Sequence, residues 1–228
     1  MLNSNDYLSE CFPGVILGPS LINQWKIHLH FEFAKGLSVH MDGSDDLNPR
    51  YFEKVFSQAL SIFNSIFSDD DQVFLIVNLY KENDFNYKSK LGLYLKYISN
   101  KNVRFRLQQS TLPYPFPPED EEEPFNCHTI QYSLKCLKRD IQTPFILKTL
   151  TNRDFPSLKP RLSNEVGMQY PDVFFVNVSK NIIFFMHDDY GCEIISKSLE
   201  ALRPLYDKYR DLICSYCKDS IDELLSDA

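Results

Sequence analysis

Two runs of bulky apolar residues, DVFFVNV at 172–178 and NIIFFMH at 181–187, constrain the fold more than any other feature of the chain. Both runs are short and rich in branched and aromatic residues, which favour strands. Only Ser179 and Lys180 separate them. Strands joined by so short a turn pair in the antiparallel sense. The sequence therefore predicts a β-hairpin, and with it an antiparallel sheet.

Other segments have the pattern of strands that would extend this sheet. KIHLHFEF (26–33) and HTIQYSLKC (128–136) alternate apolar and polar residues, which is the period of a strand with one buried face. QVFLIVNLY (72–80) is a continuous apolar run, as expected of an inner strand. NVRFRLQQ (102–109) is also predicted to be a strand.

Helical patterns separate these strands. Asn48 offers an N-cap and Pro49 a first helical residue, and apolar residues then recur at intervals of three and four through Phe67. Residues 88–98 fit either a helix or a strand, and a helix is favoured. Further helices are predicted at 143–151 and in a C-terminal helical region, 198–228, that begins near Pro204. Hairpin-linked strands interrupted by helices predict one α+β domain over 1–228, with a mainly antiparallel sheet of about five to seven strands.

Composition excludes several classes of protein. The formal net charge of -7 argues against nucleic acid as a partner, since binding to phosphates needs clustered Lys and Arg. The N-terminal sequence lacks the pattern of a signal peptide, and no apolar run is long enough to span a membrane. We therefore expect a cytoplasmic protein with no membrane association, whose six cysteines remain thiols.

The segment NIIFFMHDDYG ends in the strongest candidate for chemistry. If the strand continues through it, its period of two places His187 and Asp189 on one face, where they could act as an acid–base pair. The alternative is structural. Asp188, Asp189 and Gly191 are typical of a tight corner, because Asp accepts backbone hydrogen bonds and Gly permits positive φ. We favour the structural interpretation, since one pair is weak support for an active site.

Two other patterns are candidates for metal binding. His28, His30 and Glu32 alternate along the first strand and would share a face. The Cys-x-x-Cys motif, Cys214 and Cys217, has no second cysteine pair, and the apolar period from Leu205 to Tyr216 places it near the far end of a helix. A structural role for both patterns is favoured, and we expect no metal or other cofactor.

A proline-rich acidic segment over 111–126 is predicted to be an exposed loop, because like charges repel and proline cannot donate to a sheet. Its aromatic and acidic residues are candidates for contact with a protein partner. They are Tyr114, Phe116, Glu119, Asp120, Glu121, Glu122, Glu123 and Phe125.

Several of these segments resemble the bacterial family called domain of unknown function 3885. The resemblance rests on FFVNVSKNIIFFMHDDYGCEII (174–195) followed by LRPLYDKYRDLI (202–213), with FPGVILGPSLINQWKIHLHFEF (12–33) and FSDDDQVFLIVNLY (67–80) nearer the amino terminus. The resemblance predicts an arginine inside the D-D-x-G corner, where this chain has Tyr190.

The resemblance implies a function only in outline. Members occur near polymorphic toxin genes, which implies that some are immunity proteins, and a cognate toxin would then be the partner. Our leading hypothesis is accordingly a non-enzymatic protein-binding module of this kind. The alternatives are a metal-dependent or acid–base enzyme that uses His187 and Asp189, and a structural or scaffold protein.

Overall fold

The computed structural model describes residues 3–81, 92–116, 127–161 and 170–226. Its strands are β1 (His28–Glu32), β2 (Gln72–Lys81), β3 (Gln108–Pro113), β4 (His128–Leu137), β5 (Asp172–Asn177), β6 (Ile182–Met186) and β7 (Gly191–Ser196). Its helices are α1 (Ser4–Cys11), α2 (Pro49–Ile66), α3 (Gly92–Tyr97), α4 (Lys101–Arg104), α5 (Thr143–Thr151), α6 (Leu199–Lys208) and α7 (Ser215–Ser226). Short 3₁₀ turns at Lys138–Asp140 and Arg210–Leu212 follow β4 and α6.

The seven strands form one sheet in the order β1-β7-β6-β5-β2-β4-β3. Every neighbouring pair is antiparallel, and β5 and β6 form the hairpin predicted around Lys180. The predicted α+β class, with a mainly antiparallel sheet and a C-terminal helical region, is confirmed.

The sheet is covered on both faces, which explains why its central strands are continuously apolar. On β2, Val73 and Leu75 belong to the larger core beneath α2, whereas Phe74 and Ile76 belong to a second core on the opposite face. The second core is closed by α1 and the segment that follows it, through residues such as Leu21. The amino-terminal segment is therefore a packed layer of the fold.

Helix α2 shows how local sequence sets the larger core. The side chain of Asn48 accepts a hydrogen bond from the backbone N–H of Arg50, and Pro49 opens the helix. Its buried stripe includes Phe63, whose ring contacts the rings of Phe175 and Phe184 at centroid distances of 4.9 and 5.3 Å. The helix is thereby fixed on the middle of the sheet.

Two predicted boundaries are wrong. The segment predicted as a strand over 102–109 begins as α4, because Asn100 caps this helix through the backbone N–H of Asn102. The strand β3 starts only at Gln108. The C-terminal helical region begins at Leu199, so Pro204 lies inside α6 instead of opening it. Of the helix predicted over 88–98, residues 88–91 lie outside the described residues.

The two edges of the sheet differ. The outer edge of β1 is covered, because Ile213 forms a bridge with Phe31 and the backbone N–H of Cys214 donates to the carbonyl oxygen of His30 at 2.8 Å. The outer edge of β3 has no backbone hydrogen bond to any residue that the structure describes. One edge is therefore closed by the C-terminal region, while the other is unpaired among the described residues.

Candidate functional site

The residues of the HDDYG motif form the turn between β6 and β7. The carboxylate of Asp188 accepts the backbone N–H of Tyr190 at 2.7 Å, and the same oxygen lies 3.0 Å from Nδ1 of His187. Burial opposes ionisation of Asp188, but the hydrogen bond and charge of His187, the Tyr190 N–H and the charge of Arg153 hold its pKa below the ordinary value. Asp188 is therefore an anchored carboxylate that orders the turn.

Asp189 belongs to a different set of contacts. Its carboxylate accepts a 2.8 Å hydrogen bond from the hydroxyl of Tyr51 on α2, and it is buried. Burial raises the pKa of Asp189, and the hydrogen bond from Tyr51 opposes that rise. The pairing of His187 with Asp189, the less favoured alternative, is not observed, because the strand ends at Met186 and its alternation does not continue into the turn.

Gly191 is constrained by space instead of by its backbone angles. It does not have the positive φ that the corner motif suggested. A Cβ atom on Gly191 would lie 2.2 Å from the carbonyl oxygen of Phe31, because β7 approaches β1 closely there. Tyr190, in the position where the resemblance predicts arginine, is exposed, and the guanidinium near Asp188 comes from Arg153, at 3.9 Å.

The three candidate ligands on β1 do not share one centre. Nδ1 of His28 lies 2.9 Å from the carbonyl oxygen of Trp25, and Glu32 forms an ion pair of 3.2 Å with Lys35. His30 lies between two other groups. Its ring is 5.8 Å from the ring of His187, and its nitrogen is close to two cysteine sulfurs.

Those sulfurs belong to Cys214 and Cys217. Their sulfur atoms and a ring nitrogen of His30 all lie within 4.8 Å of one another. The expectation that this Cys-x-x-Cys motif lies near the far end of a helix is wrong. Helix α6 ends at Lys208 and α7 begins at Ser215, so the motif spans the start of α7. Apolar residues continue at helical spacing across the break between α6 and α7, so the sequence pattern does not reveal the break.

Burial keeps this group of side chains uncharged when no metal is bound. It raises the pKa of Cys214, and it raises the pKa of Cys217 to about 11 with a further contribution from the neighbouring sulfur. Burial and the nearby His187 lower the pKa of His30. Two protonated thiols and a neutral imidazole thus face one another at the covered edge of β1.

Two buried carboxylates near the sheet were not singled out in the sequence. Glu193 accepts the backbone N–H of Leu21 at 2.5 Å and the hydroxyl of Ser20 at 3.2 Å, which fixes the amino-terminal segment. Asp172 accepts a 2.5 Å hydrogen bond from Tyr80, and burial raises its pKa to about 6. Each is an acidic residue within an apolar strand, and that is the signal by which the sequence could have revealed them.

The first residues of the predicted acidic loop, 111–116, are packed, which corrects the prediction that the whole of 111–126 protrudes. Residues 111–113 belong to β3, and the half-buried rings of Tyr114 and Phe116 lie 6.2 and 5.1 Å from the ring of Tyr80. The other predicted contact residues lie outside the described residues. They are Glu119, Asp120, Glu121, Glu122, Glu123 and Phe125.

A groove of about 640 Å³ adjoins residues 112–115, between the amino-terminal segment and the strands β3 and β4. Its lining includes Leu8, Phe12, Leu112 and Gln131. The amide nitrogen of Gln131 donates to Asn78 at 3.0 Å, but its buried oxygen accepts no hydrogen bond from the described part of the chain. The groove is largely apolar.

Comparisons with known proteins place the chain in a family. The family described as Domain of unknown function (DUF3885) matches residues 4–217. "Uncharacterized protein YnaE" of Bacillus subtilis (strain 168) is 37% identical over 216 residues, covering 94% of this chain and 99% of that protein. No solved structure is significantly similar to the chain. Across the described ranges, no helix combines the length and apolar character that crossing a membrane requires. Because the family match spans nearly the whole sequence, this chain belongs to the DUF3885 family.

Proposed function

We propose that this protein is a protein-binding module, and that it acts as an immunity protein by covering a bacterial toxin. The observation that carries the proposal is the edge of β3, which is open among the described residues and contributes Leu112 and Pro113 to the lining of the groove. An open edge strand accepts an extended peptide through backbone hydrogen bonds, and an adjoining apolar groove supplies specificity.

Charge indicates the chemistry of the partner. The chain carries a net charge of -7, and the acidic run 119–123 follows β3 in the sequence after the segment 114–118. Opposite charge on a partner would steer encounter and raise the association rate by roughly ten- to a thousand-fold. A cationic toxin with an extended segment that reaches the groove fits this surface.

The geometry supports the acid–base alternative less well. His187 and Asp189 are engaged by different partners, since His187 pairs with Asp188 while Asp189 accepts from Tyr51. A general base needs a carboxylate or imidazole directed at one reacting group. The carboxylate of Asp189 instead joins the turn between β6 and β7 to α2, which is a structural role.

Co-expression with the product of a neighbouring toxin gene tests the proposal. We expect the two proteins to copurify and the toxin's effect on growth to be suppressed. Thr111→Arg places a cation on the exposed surface of β3 and should weaken copurification with a cationic partner. Ser57→Arg adds the same charge on the exposed side of α2 and serves as the matched control.

The outcomes distinguish the proposed immunity role from the proposed binding surface on β3. If no neighbouring gene encodes a toxin, or if the proteins neither copurify nor rescue growth, the immunity role is wrong. If they copurify and Thr111→Arg has no more effect than Ser57→Arg, the role stands and the β3 surface is wrong.

A further inference from the structure

His30, Cys214 and Cys217 bring together one imidazole and two thiols, the ligand types that zinc prefers in proteins. They come from distant parts of the chain. The covered edge of β1 brings them together, where the backbone N–H of Cys214 donates to the carbonyl oxygen of His30 itself. The arrangement is thus held by main-chain contacts and does not depend on the side chains alone.

The backbone around the motif favours a thiolate. The N–H groups of Tyr216 and Cys217, in the first turn of α7, act to lower the pKa of Cys214. Such donors stabilise negative charge on sulfur, and the amino end of a helix adds to the effect. Without a metal, this contribution is outweighed by burial, as the raised pKa of Cys214 indicates. A cation bound beside Cys214 would favour the thiolate over the thiol.

We propose that His30, Cys214 and Cys217 bind Zn²⁺ at the covered edge of β1. Binding converts both thiols to thiolates and releases their two protons to solvent, while His30 binds as the neutral imidazole. The charge of the ion is then balanced by the two thiolates. Two sulfurs and one nitrogen favour Zn²⁺ over Mg²⁺ or Ca²⁺, which prefer oxygen ligands.

Glu32 lies next to the site. Its interaction with the Cys214 thiol opposes the effect of burial on the pKa of Glu32, which is lowered, and adds to burial in raising the pKa of Cys214. Lys35 pairs with the same carboxylate at 3.2 Å. Glu32 is therefore a charged neighbour of the site, outside the three residues whose ligand atoms lie within 4.8 Å of one another.

The ion would link α7 to the sheet. The described contacts between α7 and the core include the buried residues Cys217 and Ile221. A metal bound jointly by β1 and the start of α7 adds a strong connection between sequence-distant segments, and its binding free energy becomes stability of the folded chain. The site lies at the β1 edge of the sheet, opposite the β3 edge, so this inference does not depend on the proposed partner.

The test is titration of the untagged, metal-free full chain, kept reduced, with Co²⁺ and then Zn²⁺. We expect one Co²⁺ per chain to give the absorption of tetrahedral cobalt–thiolate coordination, and Zn²⁺ to abolish it. Cys217→Ser and His30→Ala should each weaken binding by more than about 100-fold, since even groups outside the ligand set are worth 10–100-fold. His28→Ala on the same strand and Cys11→Ser are the matched controls and should bind normally.

A second measurement avoids the risk that a ligand variant fails to fold. Calorimetry of Zn²⁺ binding to the unsubstituted chain, in buffers of different ionisation enthalpy, should report release of about two protons per ion near neutral pH. A chain that binds no Co²⁺ overturns the proposal, as does binding that survives both ligand substitutions or that releases no protons.

Discussion

The hydroxyl of Tyr51 on α2 donates a 2.8 Å hydrogen bond to the carboxylate of Asp189, in the turn between β6 and β7. Both side chains are buried, so neither can exchange this contact for water. The bond ties the longest helix of the larger core to the turn that the sequence presents as a catalytic candidate. It therefore assigns Asp189 a role in the architecture.

Tyr51→Phe removes that donor while keeping the ring. We expect the free energy of unfolding to fall by about 1–3 kcal/mol, because a buried acceptor is left without its partner. Urea unfolding at neutral pH measures the loss. Ser57→Ala, on the exposed side of the same helix, is the control and should change stability little. An unchanged unfolding midpoint in Tyr51→Phe would show that the bond does not support the turn.

Gly191→Ala should destabilise the fold by about 1–3 kcal/mol, as overpacking does in a filled core. The added Cβ would lie 2.2 Å from the carbonyl oxygen of Phe31, so the strands β1 and β7 must separate. Gly18→Ala is a matched control, because its Cβ would meet its nearest neighbour, Pro115, at 3.8 Å, and its φ is not positive. Equal melting temperatures for the two variants would contradict the steric explanation.

The features that the sequence predicts are set by residues close together in the chain. The features that it misses depend on residues that are far apart in the chain. The N-cap at Asn48 and the hairpin around Lys180 are local, and a cap or a short turn specifies them within a few residues. The metal candidate is not local. His30 gains its partners only because the chain breaks between α6 and α7 and returns to the edge of β1, and the apolar period that continues to Tyr216 conceals this break.

The corner illustrates the same limit on a smaller scale. Extending the alternation of β6 placed His187 and Asp189 together, because a periodic pattern contains no signal for the residue at which pairing stops. Gly191 is restricted by the space available to a Cβ atom, whereas its place in the corner motif suggested positive φ. A close approach of two strands depends on tertiary packing, whereas positive φ is a property of a turn type.

Asp172 makes stability depend on pH. Burial raises its folded-state pKa from 3.8 to about 6, although Tyr80, Arg153 and His187 favour the charged form, while Glu193 disfavours it. The folded state therefore prefers the protonated acid. The stabilising contribution is present below about pH 4 and is lost as pH rises through about 6.

Asp172→Asn should remove this dependence. At about 1.4 kcal/mol per unit of pKa, the shift of about two units means that the substitution should raise stability relative to the unsubstituted chain by on the order of 3 kcal/mol between pH 4 and pH 7.5. Urea unfolding of both chains across that range gives the comparison. A constant difference between the two chains would show that Asp172 does not titrate in this window.

The last prediction concerns the acidic run 119–123. Replacing Glu119, Glu121 and Glu123 with Gln should lower the rate of association with the proposed cationic partner and reduce its dependence on salt. The reason is that charges near a docking surface act mainly on encounter, over distances of about 8–10 Å at physiological salt. Dissociation should change less, because rim charges contribute little once the surfaces are in contact.

The matched control neutralises Asp42, Asp45 and Glu53, which are exposed and lie outside β3 and the acidic run. Both variants change the net charge of -7 by the same three units, so a difference between them reports position instead of total charge. Stopped-flow association at low and high salt is the measurement. Equal rates in the two variants would mean that only the overall charge matters, and the partner would then have to be sought on another surface of the protein.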